Sequence, residues 1–221
     1  RNDGVGCVFE GLMRILCAIG AAGVLLTGCT CGGGRIGDTI DYGDDFFPDT
    51  WKHPDAVWQV GTMRSDATIR VRKESNTRFL ELLHADRVVE SEAYEVTTEQ
   101  IALVHWWDES ERFEPPIPLL KFPMTLPSNW EWKGKHRIGS RALDAEAKVS
   151  AAKETLDLAT GTTETVKITV TLTTKDGSGT EKERTLTFWF APGEGPVRRE
   201  YGLGQVREPR SETENSSGDQ S

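Results

Sequence analysis

The chain has 221 residues and a formal net charge of -9, with 37% of its residues hydrophobic and 28% charged. That is the composition of a soluble globular domain, and the length suits one domain or at most two small ones. Lys and Arg are scattered singly or in pairs such as Arg198-Arg199. The acidic balance therefore argues against nucleic acid as a partner, because a phosphate-binding surface needs clustered cations.

Met13-Arg14 opens an apolar run from Ile15 to Leu26, followed by Thr27-Gly28-Cys29. A basic start, about a dozen apolar residues and a small-residue cleavage site form the secretory pattern. The run is shorter than the ~20 residues a comfortable membrane span requires. Leu26-Thr27-Gly28-Cys29 resembles the bacterial lipobox, whose cysteine is acylated and becomes the mature N-terminus. The resemblance implies a leader and signal peptide over 1–28 and lipid, including palmitate, on Cys29. It also implies a membrane as partner through that lipid, and a place in the bacterial cell envelope outside the cytoplasm, on the outer membrane in a Gram-negative organism. Asp3 and Glu10 fit poorly ahead of a signal core, so translation is expected to start at Met13. All four cysteines (Cys7, Cys17, Cys29 and Cys31) precede the domain, which must be held by its core rather than by disulfides.

Residues 29–45 read as a flexible tether, Gly-rich at first and then acidic, with Asp38, Asp41, Asp44 and Asp45. Asp49 continues the acidic run into the domain, and the run lacks the regular spacing of a calcium loop. Residues 207–221 form a Ser/Glu/Asp-rich tail expected to be disordered. The folded part is thus 46–206, and its period is mostly two. Strands are predicted over Val57–Thr62, around Ala67-Ile69-Val71, and over Thr77–Leu83, Val88–Val96, Ile101–Trp107 and Trp130–Ile138. Residues 140–160 carry helix-favouring Ala, Glu and Lys, but Leu143, Ala145, Ala147 and Val149 alternate; strands broken near Ala151-Ala152 are the expectation. Val166, Ile168, Val170 and Leu172 form the clearest alternating run. A Gly-rich turn at 175–179 then leads to Leu186, Phe188 and Phe190 in a paired strand. No long helical stripe is present. A mainly β fold follows: one antiparallel, strongly curved sheet forming an open half-barrel behind the tether.

Trp189-Phe190-Ala191-Pro192-Gly193-Glu194-Gly195-Pro196-Val197 resembles a signature near the C-terminus of uncharacterised bacterial envelope lipoproteins. Pro116–Pro123, the Trp130-Glu131-Trp132-Lys133-Gly134 phrase and Leu156–Thr162 add to it. The resemblance spans about Phe46 to Gly202 and implies a curved half-barrel similar to those of the lipoprotein-localisation factors. It supplies no catalytic residues. The phrase has a physical reading of its own: Gly193 and Gly195 suit a tight turn or bulge, and Pro192 and Pro196 stiffen it.

Nucleophile elbows, HExxH and P-loop motifs are missing from the sequence, and no cofactor is expected. His53-x-Asp55 and His84-x-Asp86 would make a metal site only by converging, and both fall where turns are expected, so no metal is assigned. Two function classes remain. One is non-enzymatic binding or assembly, with an apolar ligand or an envelope protein as partner. The other is a hydrolase or metal-dependent enzyme built from scattered His and Asp. For the first, alternation puts Trp189 opposite Leu186, Phe188 and Phe190, and sets Trp106 and Trp107 on opposite faces. Trp106, Trp107 and Trp189 are therefore the candidate ligand groove.

Overall fold

A computed structural model describes residues 36–41, 46–48, 51, 54–60, 62–107, 110–202 and 205–209, all within the unit Gly33–Ser221. Cys29 and the signal segment lie outside the described residues. Apart from a 3₁₀ residue at Phe46, every regular element among the described residues is a strand. Two short ones, β1 (Thr39–Ile40) and β8 (Met124–Thr125), pair with each other. The others are β2 (Asp55–Val60), β3 (Met63–Glu74), β4 (Thr77–His84), β5 (Arg87–Val96), β6 (Gln100–His105) and β7 (Glu111–Lys121). After β8 come β9 (Ser128–Ile138), β10 (Arg141–Leu158), β11 (Gly161–Lys175), β12 (Glu181–Ala191), β13 (Gly195–Tyr201) and β14 (Gln205–Pro209).

These form the expected single antiparallel, strongly curved sheet, in the order β10-β11-β12-β13-β14-β2-β3-β4-β5-β6-β7-β9. The two ends of that order meet where β7 pairs with β9 from Glu111↔Ile138 to Glu114↔Lys135, and the sheet returns on itself as a barrel. The junction stops at Pro115, for a physical reason: Pro115, Pro116 and Pro118 lack the N–H a ladder needs. Past Glu114 no ladder joins β7 to β9 among the described residues, and there the half-barrel stays open. The Trp130 indole N–H reaches across to the Pro118 carbonyl at 2.9 Å. At the junction itself a Cβ on Gly134 would lie 2.5 Å from the Glu114 carbonyl oxygen, so only glycine lets the two backbones approach.

The β11–β12 hairpin places Val166, Ile168 and Val170 opposite Phe190, Phe188 and Leu186, all fully buried on the interior face. The segment 140–160 departs from expectation. From Arg141 to Leu158 it is one continuous strand, β10, unbroken at Ala151-Ala152; it pairs with β9 as far as Ala151 and with β11 on to Leu158. The alternation breaks there because the covered face changes. Ala145, Ala147, Val149 and Ala151 face the core, whereas Leu156 and Leu158 pack on the outside with Trp189, Ala191 and Val197.

The packed chain also extends beyond the expected boundaries. Ile36 and Ile40, within the segment read as flexible tether, are buried in the main core. The Ile36 amide donates to Glu164 at 2.8 Å. At the other end β14 continues to Pro209, inside the expected tail, by pairing with β2. Neither contact has a local sequence signal, because both depend on the sheet already being formed. The turn phrase behaves as expected: Gly193 and Gly195 have φ of 70° and 80°, and a bulge falls between Trp189 and Phe190.

Candidate functional site

A cleft of about 710 Å³ lies at the end of the barrel where β7 and β9 are joined. Its lining includes Trp106, Trp107 and Tyr201, with Glu111, Lys182 and Arg184 around them. The volume falls in the ~300–1,000 Å³ range of small-molecule sites, which favour barrel mouths. Trp106 follows the end of β6 and is buried, its ring meeting Tyr201 edge to face at 4.9 Å. Its indole N–H donates to Glu111 Oε2 at 2.7 Å. The same oxygen lies 3.4 Å from Nε2 of His136, a buried ring stacked 4.9 Å from Phe113. The His136 contact, opposed by partial burial and aided by the Trp106 bond, holds the Glu111 carboxyl below its ordinary pKa.

Trp107 is of a different kind. It is 38% exposed and has φ 73°, the left-handed region that side chains with a Cβ avoid. Its carbonyl accepts from the Ser91 amide at 2.8 Å, which ties the strained backbone to β5. Strain of this type clusters at binding sites, where it aims a side chain that a relaxed backbone would turn elsewhere.

Below the cleft the barrel interior holds charge. Glu90, Glu92, Arg199 and Arg207 are each no more than 2% exposed. Arg199 pairs with both carboxylates, and Arg207 lies 3.3 Å from Glu92. The hydroxyls of Tyr94 and Tyr201 donate to Glu92 at 2.7 and 2.8 Å. Burial pushes the Glu92 carboxyl up, but the two guanidiniums and two phenolic donors outweigh it and hold its pKa down. Burial raises both tyrosines well above their ordinary value, so they stay protonated donors. Two carboxylates and two guanidiniums balance, which is how such groups are tolerated when buried.

Of the three tryptophans expected to share a groove, the structure brings Trp106 and Trp107 to the cleft and places Trp189 elsewhere. Trp189 is buried on the outer face of β12 against Leu156, Leu158 and Val197. Its N–H donates to Glu154 at 3.2 Å, and Lys167 and Arg198 lie 5.4 and 5.3 Å from its ring centroid. The expected alternation holds, but packing covers that outer side chain. Tyr201, Lys182 and Arg184 were missed as lining residues, although the period-two pattern of β12 extended back from Phe188 would have aligned Arg184 and Lys182 with the core face. Of the His and Asp weighed for metal, His53 lies outside the described residues, and Nδ1 of the exposed His84 is 3.0 Å from the Asp66 carbonyl. No group of three or more His, Cys, Asp or Glu is placed to hold a metal ion among the described residues.

No protein-family model matches the chain, and no curated protein matches it. Three solved structures are similar. A protein described as a lipoprotein from Parabacteroides distasonis shares 12% identity over 78% of this chain and 99% of its own, with a TM-score of 0.39. The hypothetical lipoprotein YmcC from Escherichia coli shares 13% over 71% and 82%, with a TM-score of 0.40. A protein of YmcC-like fold from Bacteroides fragilis, described as exported, shares 8% over 78% and 99%, with a TM-score of 0.35. No residue role passes from them to this chain.

Proposed function

We propose that the chain is a lipid-anchored protein of the bacterial cell envelope whose barrel binds an apolar ligand, or an aromatic side chain of a partner protein, without chemically changing it. The observation that carries the binding role is the cleft at the barrel mouth. An exposed, backbone-strained Trp107 stands there beside a rigid Trp106–Tyr201 pair. Aromatic surface with few rotatable bonds suits binding, because little side-chain entropy is lost when a ligand arrives.

The enzymatic alternative has less support. The Glu111 carboxylate at the cleft is shared between His136 and the Trp106 N–H, and His136 is 2% exposed. The anchoring half of the proposal rests on Leu26-Thr27-Gly28-Cys29. Two or three acyl chains at Cys29 would bind the bilayer firmly, since each buried CH₂ contributes ~0.8 kcal/mol.

Each half has its own test. Mass spectrometry of the membrane-extracted protein is expected to show acyl mass on Cys29, and Cys29→Ala is expected to abolish it; an unmodified Cys29 rejects the anchor. Acrylamide quenching is expected to fall clearly in Trp107→Phe and little in Trp189→Phe. Equal quenching in both variants and in wild type rejects the aromatic cleft.

A further inference from the structure

We propose that the barrel mouth takes a small amphipathic anion, its apolar body against Trp106, Trp107 and Tyr201 and its carboxylate or phosphate group against Lys182 and Arg184. The proposal rests on the cleft being a binding site and deepens that reading by naming the chemistry it selects.

The register of β12 carries the argument. Leu186, Phe188 and Phe190 are fully buried on the interior face. The same alternation continues to Arg184 and Lys182, which pair with Leu172 and Thr174 near the end of β11. Two cations thus stand on the interior side of the wall, one step outside the apolar core. Both are exposed, and neither makes an ion pair among the described residues.

Among the described residues, Asp176 feels the Lys182 charge but is itself bonded by the Ser178 hydroxyl and by the Ser178 and Thr180 amides. Glu111 is already engaged by the Trp106 N–H and His136, although it also feels the Arg184 charge. Glu183 touches the cleft rim, but alternation sets it on the outer face, opposite Thr173. Arg184 lies 5.6 Å from the Trp106 ring centroid and so occupies the place a cationic ligand would seek. A cation would meet two like charges there, and a neutral apolar molecule would leave both unanswered. An anion with an apolar body satisfies the rim and the lining together. In a chain of net charge -9, two cations without an ion pair among the described residues, set over aromatic surface, are a selective feature.

The test uses the full chain in phosphatidylcholine nanodiscs, with empty nanodiscs subtracted. Octanoate, octyl phosphate, octyl glucoside and octyltrimethylammonium are titrated by calorimetry and tryptophan fluorescence. The expected result is that one or both anions bind about tenfold or more tightly than octyl glucoside, with the ammonium weakest, and that this preference shrinks as salt screens the rim. The order of octanoate and octyl phosphate tells which head group the rim prefers. Replacing Lys182→Gln and Arg184→Gln together is expected to erase the preference, so that the anions bind no more tightly than octyl glucoside does to the same variant. If the double variant does not fold, the wild-type ranking and Lys182→Gln alone decide. Equal or tighter binding of octyl glucoside or the ammonium overturns the anion proposal and leaves the cleft standing. If none of the four probes binds, the cleft reading itself falls.

Discussion

The Tyr201 hydroxyl donates to Oε1 of Glu92 at 2.8 Å, across 109 positions of sequence, and the same tyrosine ring lines the cleft beside Trp106. The buried charge and the cleft are therefore one structure: the ion cluster fixes the ring that the mouth displays. Tyr201→Phe keeps the ring and removes the donor. It is expected to cost ~1–3 kcal/mol, the range for a hydrogen bond to a buried charged acceptor. Chemical denaturation would measure it, and an unchanged midpoint would show that Glu92 does not need this bond.

Removing Glu92 itself is the harsher change. Glu92→Gln leaves the buried Arg199 and Arg207 short of countercharge, and ~3–5 kcal/mol of destabilisation is expected. Equilibrium unfolding in urea is the measurement, with far-ultraviolet dichroism confirming that a folded state persists.

The same cluster sets an acid limit. The Glu92 carboxyl is depressed below its ordinary value of 4.5 in the folded chain, so the unfolded chain takes up a proton first as pH falls. Its stabilising contribution is fully present above about pH 4.5 and is lost as pH drops through the lower folded value. Glu111 acts in the same direction. Unfolding midpoints at pH 7, 4.5 and 3.5 are expected to fall more steeply in wild type than in Glu92→Gln. Parallel curves would show that Glu92 is not depressed.

Trp107 offers a test of strain against binding. With φ 73°, glycine is at ease where tryptophan is not. Trp107→Gly is expected to leave the melting temperature unchanged or raise it, while weakening any aromatic-cleft ligand about tenfold or more. A large fall in melting temperature with binding intact would mean that Trp107 is packing rather than contact surface.

Phe188 tests the core directly. It is fully buried opposite Ile168, and Phe188→Ala is expected to cost ~3–5 kcal/mol in urea unfolding. A loss below about 1 kcal/mol would mean that the interior is loosely packed around this position.

The alternating residues of β11 and β12 determined by themselves that these segments form a hairpin with one buried face, because a period of two fixes which side chains share a face whatever lies beyond. The glycines of the Gly193-Glu194-Gly195 turn were legible for the same local reason: positive φ demands them. Tertiary structure decided the rest. Ala151-Ala152 read as a break because the alternation stops there, yet β10 runs on and merely changes its buried face. Trp189 read as a groove residue because it opposes the core, but Leu156 and Leu158 of β10 and Val197 of β13 cover it. Glu90, Glu92, Arg199 and Arg207 look like surface residues in sequence. Only the pairing of β5 with its neighbours and of β13 with β12 and β14 turns all four inward, where each charge is tolerable because the others are present. That mutual dependence is why no local pattern announces them.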